Sequence, residues 1–465
     1  MPVKLISNLT GDRARLIPAY SDVVVYAEDI PQNILDNNFN IKYICRVFIN
    51  DQLVVELKAP PNSRINNKAL FRIQDVLQDF TNTDISGYYP DDAENASTSA
   101  GGTFATNAHS IHQIDNFARN KENLNNCFCL GGFESSTTVN GAIVQSISIF
   151  TDVVFKFWNG VIQLKEGFNS YDFSNYFLTA NTKNFLSLFP NNFGTTGQKI
   201  QLAQYHTLAF FHGKILGVDD ALNIDVAKIQ IRTFNSSDVQ VALQEVDNTN
   251  ANGGSTDSST SDGRGLLYFG CGTSQLVQHG LDLSTVAYYT VTAVGGGVSI
   301  SQSYRFDIVG ADCKGFETIR LAFMNSLGTY DYFNFTKKST RTTELVKSPI
   351  KTNYGTELVF SATDQLIDNF DLPIYTQGTQ SGGTRNYNTN AIETIEANTD
   401  FISQEEAAIL KDLFKSPSVF MQEGTTFVPV VINETEYMLQ TTVNDKVIQY
   451  IIQIEKGHNT RVQRL

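Results

Sequence analysis

Residues able to do chemistry are sparse in this sequence, and their spacings leave them short of partners. Cys127 and Cys129 are the one close cysteine pair. Two apart on a strand they share a face, but a tetrahedral metal site needs two more ligands at compatible spacing and none stands there. With Cys45, Cys271 and Cys313 they make an odd five, which reads as buried free thiols. His109 and His112 lie three apart at the end of a polar loop, and His206 and His212 are evenly spaced along an apolar run. Without thiol or carboxylate company the first pair reads as plain surface, and the second as packing or plain exposure. The carboxylate pairs Asp91-Asp92 and Asp219-Asp220 are the raw material of a glycosidase, which needs two carboxyl groups across a cleft. Gly263-Arg264-Gly265 does not follow a strand into a helix, so it makes no phosphate loop. Trp158, the only tryptophan, has the shape of a sugar platform, but an indole beside Asn159-Gly160 reads as packing at a turn. Nucleophile elbow, zincin, P-loop and dinucleotide fingerprints are all missing from the sequence. The reading is therefore of no catalytic residue, no cofactor and no metal ligand, in a chain that is not an enzyme.

The elements that would position such residues are strands. The 465 residues suggest several domains, and 32 Phe, 19 Tyr and recurrent Val, Ile and Thr favour β structure. A net charge of −14, spread without runs, gives no footprint for a nucleic-acid backbone. The N-terminal residues lack the apolar core of a secretory signal, and no window reaches the ~18 apolar residues of a membrane span. The expectation is a soluble protein made in the cytosol.

In chain order, Val23 to Glu28 and Ile41 to Lys58 predict three strands, the last two reversing at Asn50-Asp51-Gln52. Leu70 to Phe80 predicts a short helix, from Ile73, Val76, Leu77 and Phe80. Thr83 to His112 reads as a long polar insertion. Ala142 to Leu164 predicts a hairpin turning at Trp158-Asn159-Gly160, and Gly167 to Pro190 an irregular connector over the first domain. Strands follow at Ile200 to Gly213, Ala227 to Thr233, Ala287 to Thr292 and Ser299 to Val309, with a low-complexity stretch at Asp247 to Arg264. Phe316 to Phe335 carries the densest alternation: Ile319, Leu321 and Phe323 on one face, a turn at Asn325-Ser326-Leu327-Gly328, and an aromatic return strand. It is expected to close the second domain at its C-terminal edge. Lys337 to Lys351 reads as a linker followed by an extended strand, and Tyr375 to Asn390 as a flexible loop. A capping box at Ser403 and Glu406 opens a helix that stops at Ser416-Pro417. Strands at Val419 to Gln422, Phe427 to Ile432, Glu436 to Val443 and Lys446 to Glu455 complete the chain.

The stretch Arg320 to Phe335, RLAFMNSLGTYDYFNF, resembles the RLAFLNxLGGYDYFxF signature of virion proteins in tailed phages of Bacteroidetes, including the crAss-like phages, with Thr329 where a second glycine is usual. Tyr43 to Phe80 and Phe155 to Gly160 resemble the same group. So does Leu413 to Glu455, in phrases that, counted from Leu410, are carried by Leu410, Leu413, Ser416, Pro417, Val419, Gly424, Pro429, Val430, Ile432, Asp445, Lys446, Tyr450, Ile452 and Glu455. Together these stretches span nearly the whole chain.

The resemblance implies a mainly β chain of tandem immunoglobulin- or fibronectin-III-like β-sandwich domains followed by a small α+β C-terminal domain. The expected division is 1–165 for the first sandwich with its insertion loop, 166–196 for the connector, 197–336 for the second sandwich and 337–465 for the α+β module. It further implies a structural virion protein, forming a homo-oligomeric ring in the tail, head-to-tail connector region or baseplate. Its partners would be copies of itself and other phage tail or connector proteins, with no direct nucleic-acid binding and no membrane. The alternative is a host-surface glycan-binding or glycan-degrading tail module.

Overall fold

The computed structural model describes residues 3–7, 16–81, 86–87, 109–119, 124–161, 174–192, 196–213, 225–248, 265–310, 315–352, 383–433, 449–458 and 460–461. The protein is mainly β, with several sheets wrapped around three buried apolar cores. Asp91-Asp92, Asp219-Asp220, Gly263-Arg264, Cys313, Glu436 to Val443 and most of the segments Thr83 to His112 and Asp247 to Arg264 lie outside the described residues.

The first core is enclosed by two sheets. One runs Leu16–Pro18, Val144–Trp158, Leu124–Ser136, Phe39–Ile49, Gln52–Ala59, and the other is Lys4–Ser7, Val24–Glu28, Ala69–Arg72. Between Phe39–Ile49 and Gln52–Ala59 the chain reverses through Asn50 and Asp51, with φ of 48° and 66°. Short polar side chains tolerate this left-handed geometry, whose twist suits a two-residue hairpin. The expected helix is shorter than its pattern. Ala69–Arg72 pairs as a strand, only Gln74–Gln78 is helical, and Phe80 is 41% exposed. Val144–Trp158 is one bent strand rather than two, its register broken where it pairs Cys129, Leu130 and Gly132.

The second core also lies between two sheets. The larger has the order Gln198–Ile200, Tyr304–Ile308, Tyr288–Gly295, Lys228–Phe234, Gln240–Asp247, and the smaller is Thr207–His212, Gly265–Gly270, Phe117–Arg119. Two expectations are corrected here. The run Ile200 to Gly213 is not a single strand, because residues 201–206 turn between two sheets. The connector packs into the second core rather than over the first: Phe185 is fully buried, edge-on to Phe210 and Tyr304. The end of the polar insertion does the same, as Phe117–Arg119 pairs with Gly265–Gly270 and Ile111 and Ile114 are fully buried.

The third core lies under a sheet ordered Tyr330–Phe335, Ile319–Met324, Val419–Glu423, Thr426–Ile432, Ile451–Lys456, Gly383–Asn398, Thr340–Thr352, with the helix Gln404–Lys415 packed into it. The hairpin expected to close the second domain therefore belongs to this C-terminal sheet, through pairing of Leu321 to Phe323 with Val419 to Met421. Its alternation explains the placement. Ile319, Leu321, Phe323, Phe333 and Phe335 enter the third core, while Ala322, Met324, Tyr330 and Tyr332 enter the second. Every residue of Ile319–Met324 is buried, so the hairpin is a wall between two cores. Its turn closes on Gly328 at φ 76°, where a Cβ would collide with the Asn159 carbonyl oxygen. A second correction concerns Tyr375 to Asn390: from Gly383 onward this is not a loop but strand, paired along its length with Thr340–Thr352.

Candidate functional site

The hairpin collects most of the chemistry-bearing side chains. Arg320 is 2% exposed, and its guanidinium faces neutral acceptors. Nε and Nη2 donate to the Tyr205 carbonyl at 3.0 and 2.8 Å, Nη1 to Gln204 Oε1 at 3.2 Å and Asn334 Oδ1 at 2.9 Å, and Nη2 to His206 Nδ1 at 3.1 Å. All five N–H groups are thus used. Since arginine can only donate, His206 Nδ1 accepts and its neutral ring carries the proton on Nε2. Burial lowers Arg320 to about 10, which leaves it charged at neutral pH.

Tyr332 lies beside this cation, its ring centroid 5.0 Å from the guanidinium carbon. Its hydroxyl meets His112 Nδ1 and Thr207 Oγ1, both at 2.9 Å. His112 is fully buried among Tyr330, Tyr332, Phe420 and Phe427, so the plain-surface reading of the 109/112 pair fails at His112. The reason is tertiary: the insertion's end is drawn into the second core and held by Gln275, whose Nε2 donates to the Ile114 and His112 carbonyls at 2.8 and 3.3 Å. Desolvation pushes His112 down to about 3 and His212 to about 4, and burial followed by the Arg320 charge lowers His206. His206 and His212 serve different partners, since His212 Nδ1 accepts from the Val226 amide at 3.3 Å. All three are neutral packing groups.

Asp331, on the same hairpin, ties in the connector. Its carboxylate accepts from Ser187 Oγ at 2.6 Å, Asn325 Nδ2 at 2.8 Å and the Leu188 amide at 3.0 Å. Burial raises it to about 6 against the opposing pull of these donors. Trp158 is fully buried, donating to the Leu327 carbonyl at 2.8 Å, so its indole packs the turn. Cys127 and Cys129 share the inward face, where Cys45 joins them. Thiol-to-thiol hydrogen bonding and burial hold Cys45 and Cys129 well above the ordinary range, and such thiols are inert.

A cleft of about 540 Å³ opens beside Arg320, between the 203–204 turn and the C-terminal sheet. Glu317, Arg341 and Glu423 line it, and ion pairs run on from them: Arg341 with Glu317 at 2.8 Å and Glu393 at 3.0 Å, and Lys456 with Glu393 at 3.1 Å and Glu423 at 2.8 Å. Burial would raise Glu393, but Lys456 and Arg341 outweigh it and hold it low.

What the hairpin leaves outside is a surface. Thr340–Thr352 and Gly383–Asn398 form a two-stranded ribbon, and residues 340–351 are exposed throughout. Among the described residues, Gly383–Asn398 meets a third strand at Asn390, Ala391 and Thr394 to Asn398. Leu345, Val346, Ile350 and Tyr387 stand 43–53% exposed on it. The edge strand Gln240–Asp247 is similarly open, with Val241 and Leu243 at 46% and 48% and Val239 before it at 58%.

The sequence thus anticipated the packing roles of Trp158 and Cys127/Cys129, and missed Arg320, Gln275 and Asp331 as buried staples. One signal was present: charged and amide residues inside an otherwise apolar alternation. Among the described residues no group of three or more His, Cys, Asp or Glu is arranged to hold a metal, and no helix is long and apolar enough to cross a membrane. No protein-family model matches the chain, and no curated protein matches it.

Proposed function

We propose that this chain is a structural protein of a tailed-phage virion, not an enzyme, that assembles as a homo-oligomeric ring in the tail, head-to-tail connector region or baseplate. The observation that carries the reading is the division of labour around the signature stretch. Arg320 to Phe335 is spent on joining two cores, while residues 340–351 of the ribbon present exposed apolar and charged side chains. A buried signature beside an uncovered ribbon fits a part built to be held by neighbours. The first two units read as immunoglobulin- or fibronectin-III-like sandwiches. What supports that reading is that each has two mainly antiparallel sheets around one core, the larger sheet alone carrying one short parallel edge strand.

Imaging virions that carry a tagged copy tests the proposal, with a closed ring of this chain expected at one level of the particle. Isolated copies, or particles lacking the chain, would overturn it. Incubation with bacterial surface glycans is expected to give neither retention nor sugar release, and specific binding or release would favour a host-recognition module.

A further inference from the structure

We infer that the cleft beside Arg320 binds an extended, basic peptide segment of another protein, which adds as a strand between Ile319–Met324 and Val419–Glu423. The inference stands apart from the ring reading and needs no second copy of this chain. The cleft, of about 540 Å³ where ligand sites span ~300–1,000 Å³, opens at a fork. The two strands pair from Phe323 with Val419 to Leu321 with Met421. There the register ends, although both run on, as Arg320 and Ile319 on one side and Gln422 and Glu423 on the other. All four of these residues line the cleft. Main-chain groups alternate in direction along a strand. Met324 N donates to Ser418 O at 3.0 Å, so even-numbered residues aim their N–H and C=O across the fork. Thr318, on the same wall, has no main-chain hydrogen bond among the described residues. Such an edge is a template for an added strand.

Gln204 adds a donor. It is 6% exposed and lines the cleft. Its Oε1 is filled by Gln201 N at 2.9 Å, Arg320 Nη1 at 3.2 Å and Asn334 Nδ2 at 2.9 Å. That fixes the amide's orientation and leaves Nε2 with no acceptor among the described residues. A nearly buried donor left open at a cleft calls for a carbonyl, which every peptide unit carries. Ala203 beside it is held at φ 61°, whereas the other non-glycine residues with positive φ are all Asn or Asp. Strain of this kind clusters at ligand sites, and here Gln422 Nε2, from the opposite wall, holds the Ala203 carbonyl at 2.9 Å. Charge selects the segment. Glu317, Arg341, Glu393, Lys456 and Glu423 form a chain of alternating ion pairs with a carboxylate at each end. Both ends line the cleft, with side chains 56% and 37% exposed, and a lysine or arginine lying between them would close the alternation. Arg320 does not supply that cation, since its N–H groups are all engaged on neutral acceptors. No aromatic residue lines the cleft among those described, so a sugar ring finds no face to stack on. A chain of net charge −14 is a poor source of basic segments, which assigns the segment to another protein.

The test applies the full-length protein to an array of acetylated hexapeptides that place one lysine or one glutamate in an alternating valine and threonine background. Copies N-methylated at alternate main-chain nitrogens stand beside them. Retention is expected on the lysine peptides and not on the glutamate or N-methylated ones. Glu317→Gln with Glu423→Gln should weaken it about tenfold, the scale of one charge-assisted hydrogen bond. Both side chains reach solvent, and unchanged melting of the double variant verifies the fold. Excess free lysine amide should not compete, because the main chain carries the binding. No retention on any peptide, retention indifferent to charge or to N-methylation, or full competition by lysine amide overturns the inference. Self-association that the lysine peptide dissolves, followed by sedimentation, would make the segment this chain's own and overturn its assignment to another protein.

Discussion

Asp331 and the buried histidines pull stability in opposite directions with pH. Against an unfolded histidine value of ~6.5, His112 and His212 are depressed to about 3 and about 4. Their contribution is complete above ~6.5 and is lost as pH falls toward those folded values, by up to about 1.4 kcal/mol per pH unit for each group. Asp331, raised to about 6 from ~3.9, behaves inversely. Its contribution is complete below ~3.9 and is lost as pH rises through 6. Between pH 4 and 6 the histidines outnumber the aspartate, so the melting temperature should fall on acidification. Asp331→Asn removes the opposing slope, and melting curves at successive pH values should show the fall steepen. An unchanged slope would mean that Asp331 stays ionised throughout. Nothing near His112 in the sequence announces its burial. Its environment is made by Tyr332, Phe420 and Phe427, far along the chain, and no local period encodes such neighbours.

At the scale of elements, the hairpin and the ribbon are opposite cases. Phe323 is fully buried in the third core, and Phe323→Ala should cost about 3–5 kcal/mol as a cavity forms. Chemical denaturation measures this, and a midpoint unmoved would place the ring on a surface. The ribbon should behave otherwise. Leu345 and Val346 are 53% and 50% exposed, so Leu345→Ser with Val346→Ser should leave the melting temperature nearly unchanged. A large loss of stability instead would show the ribbon packed within its own chain. The hairpin's turn, its alternation and the capping box, with Ser403 Oγ accepting from Glu406 N at 3.2 Å and Glu406 reaching back at 2.8 Å, were legible because they are local. That Arg320 and Ala322 face a second core was not, since a wall buried on both sides shows alternation only where its polar residues happen to be stapled. Of the ribbon, the extended strand after Lys337 was legible, but its partner was hidden: Thr, Asn and Gly dominate 383–390, and an exposed strand lacks an apolar period.

For the whole molecule, charge sets the terms of assembly. Copies of net charge −14 repel at long range, whereas the contacts of the proposed ring would act at close range. Screening separates the two effects, since the Debye length shrinks from about 30 Å at 0.01 M to about 8 Å at 0.15 M. Distant repulsion is largely removed over that interval, while pairs in direct contact and the apolar burial around them persist. The free chain should therefore associate more strongly as salt rises through this range, seen as a growing mass by light scattering at fixed concentration. The ribbon, only about 20 Å long in its outer part, falls short of the ~1,000 Å² of a specific interface by itself. A stable ring needs further contacts, for which the row Val139, Ile143 and Val144 is available. Each contact is weak alone and they act together, so association should rise steeply with protein concentration once two neighbours are engaged. Association that weakens steadily across the same salt range would make long-range attraction the driving term. A copy of a strongly acidic chain does not supply that attraction, and the partner would then have to be a basic protein rather than a second subunit.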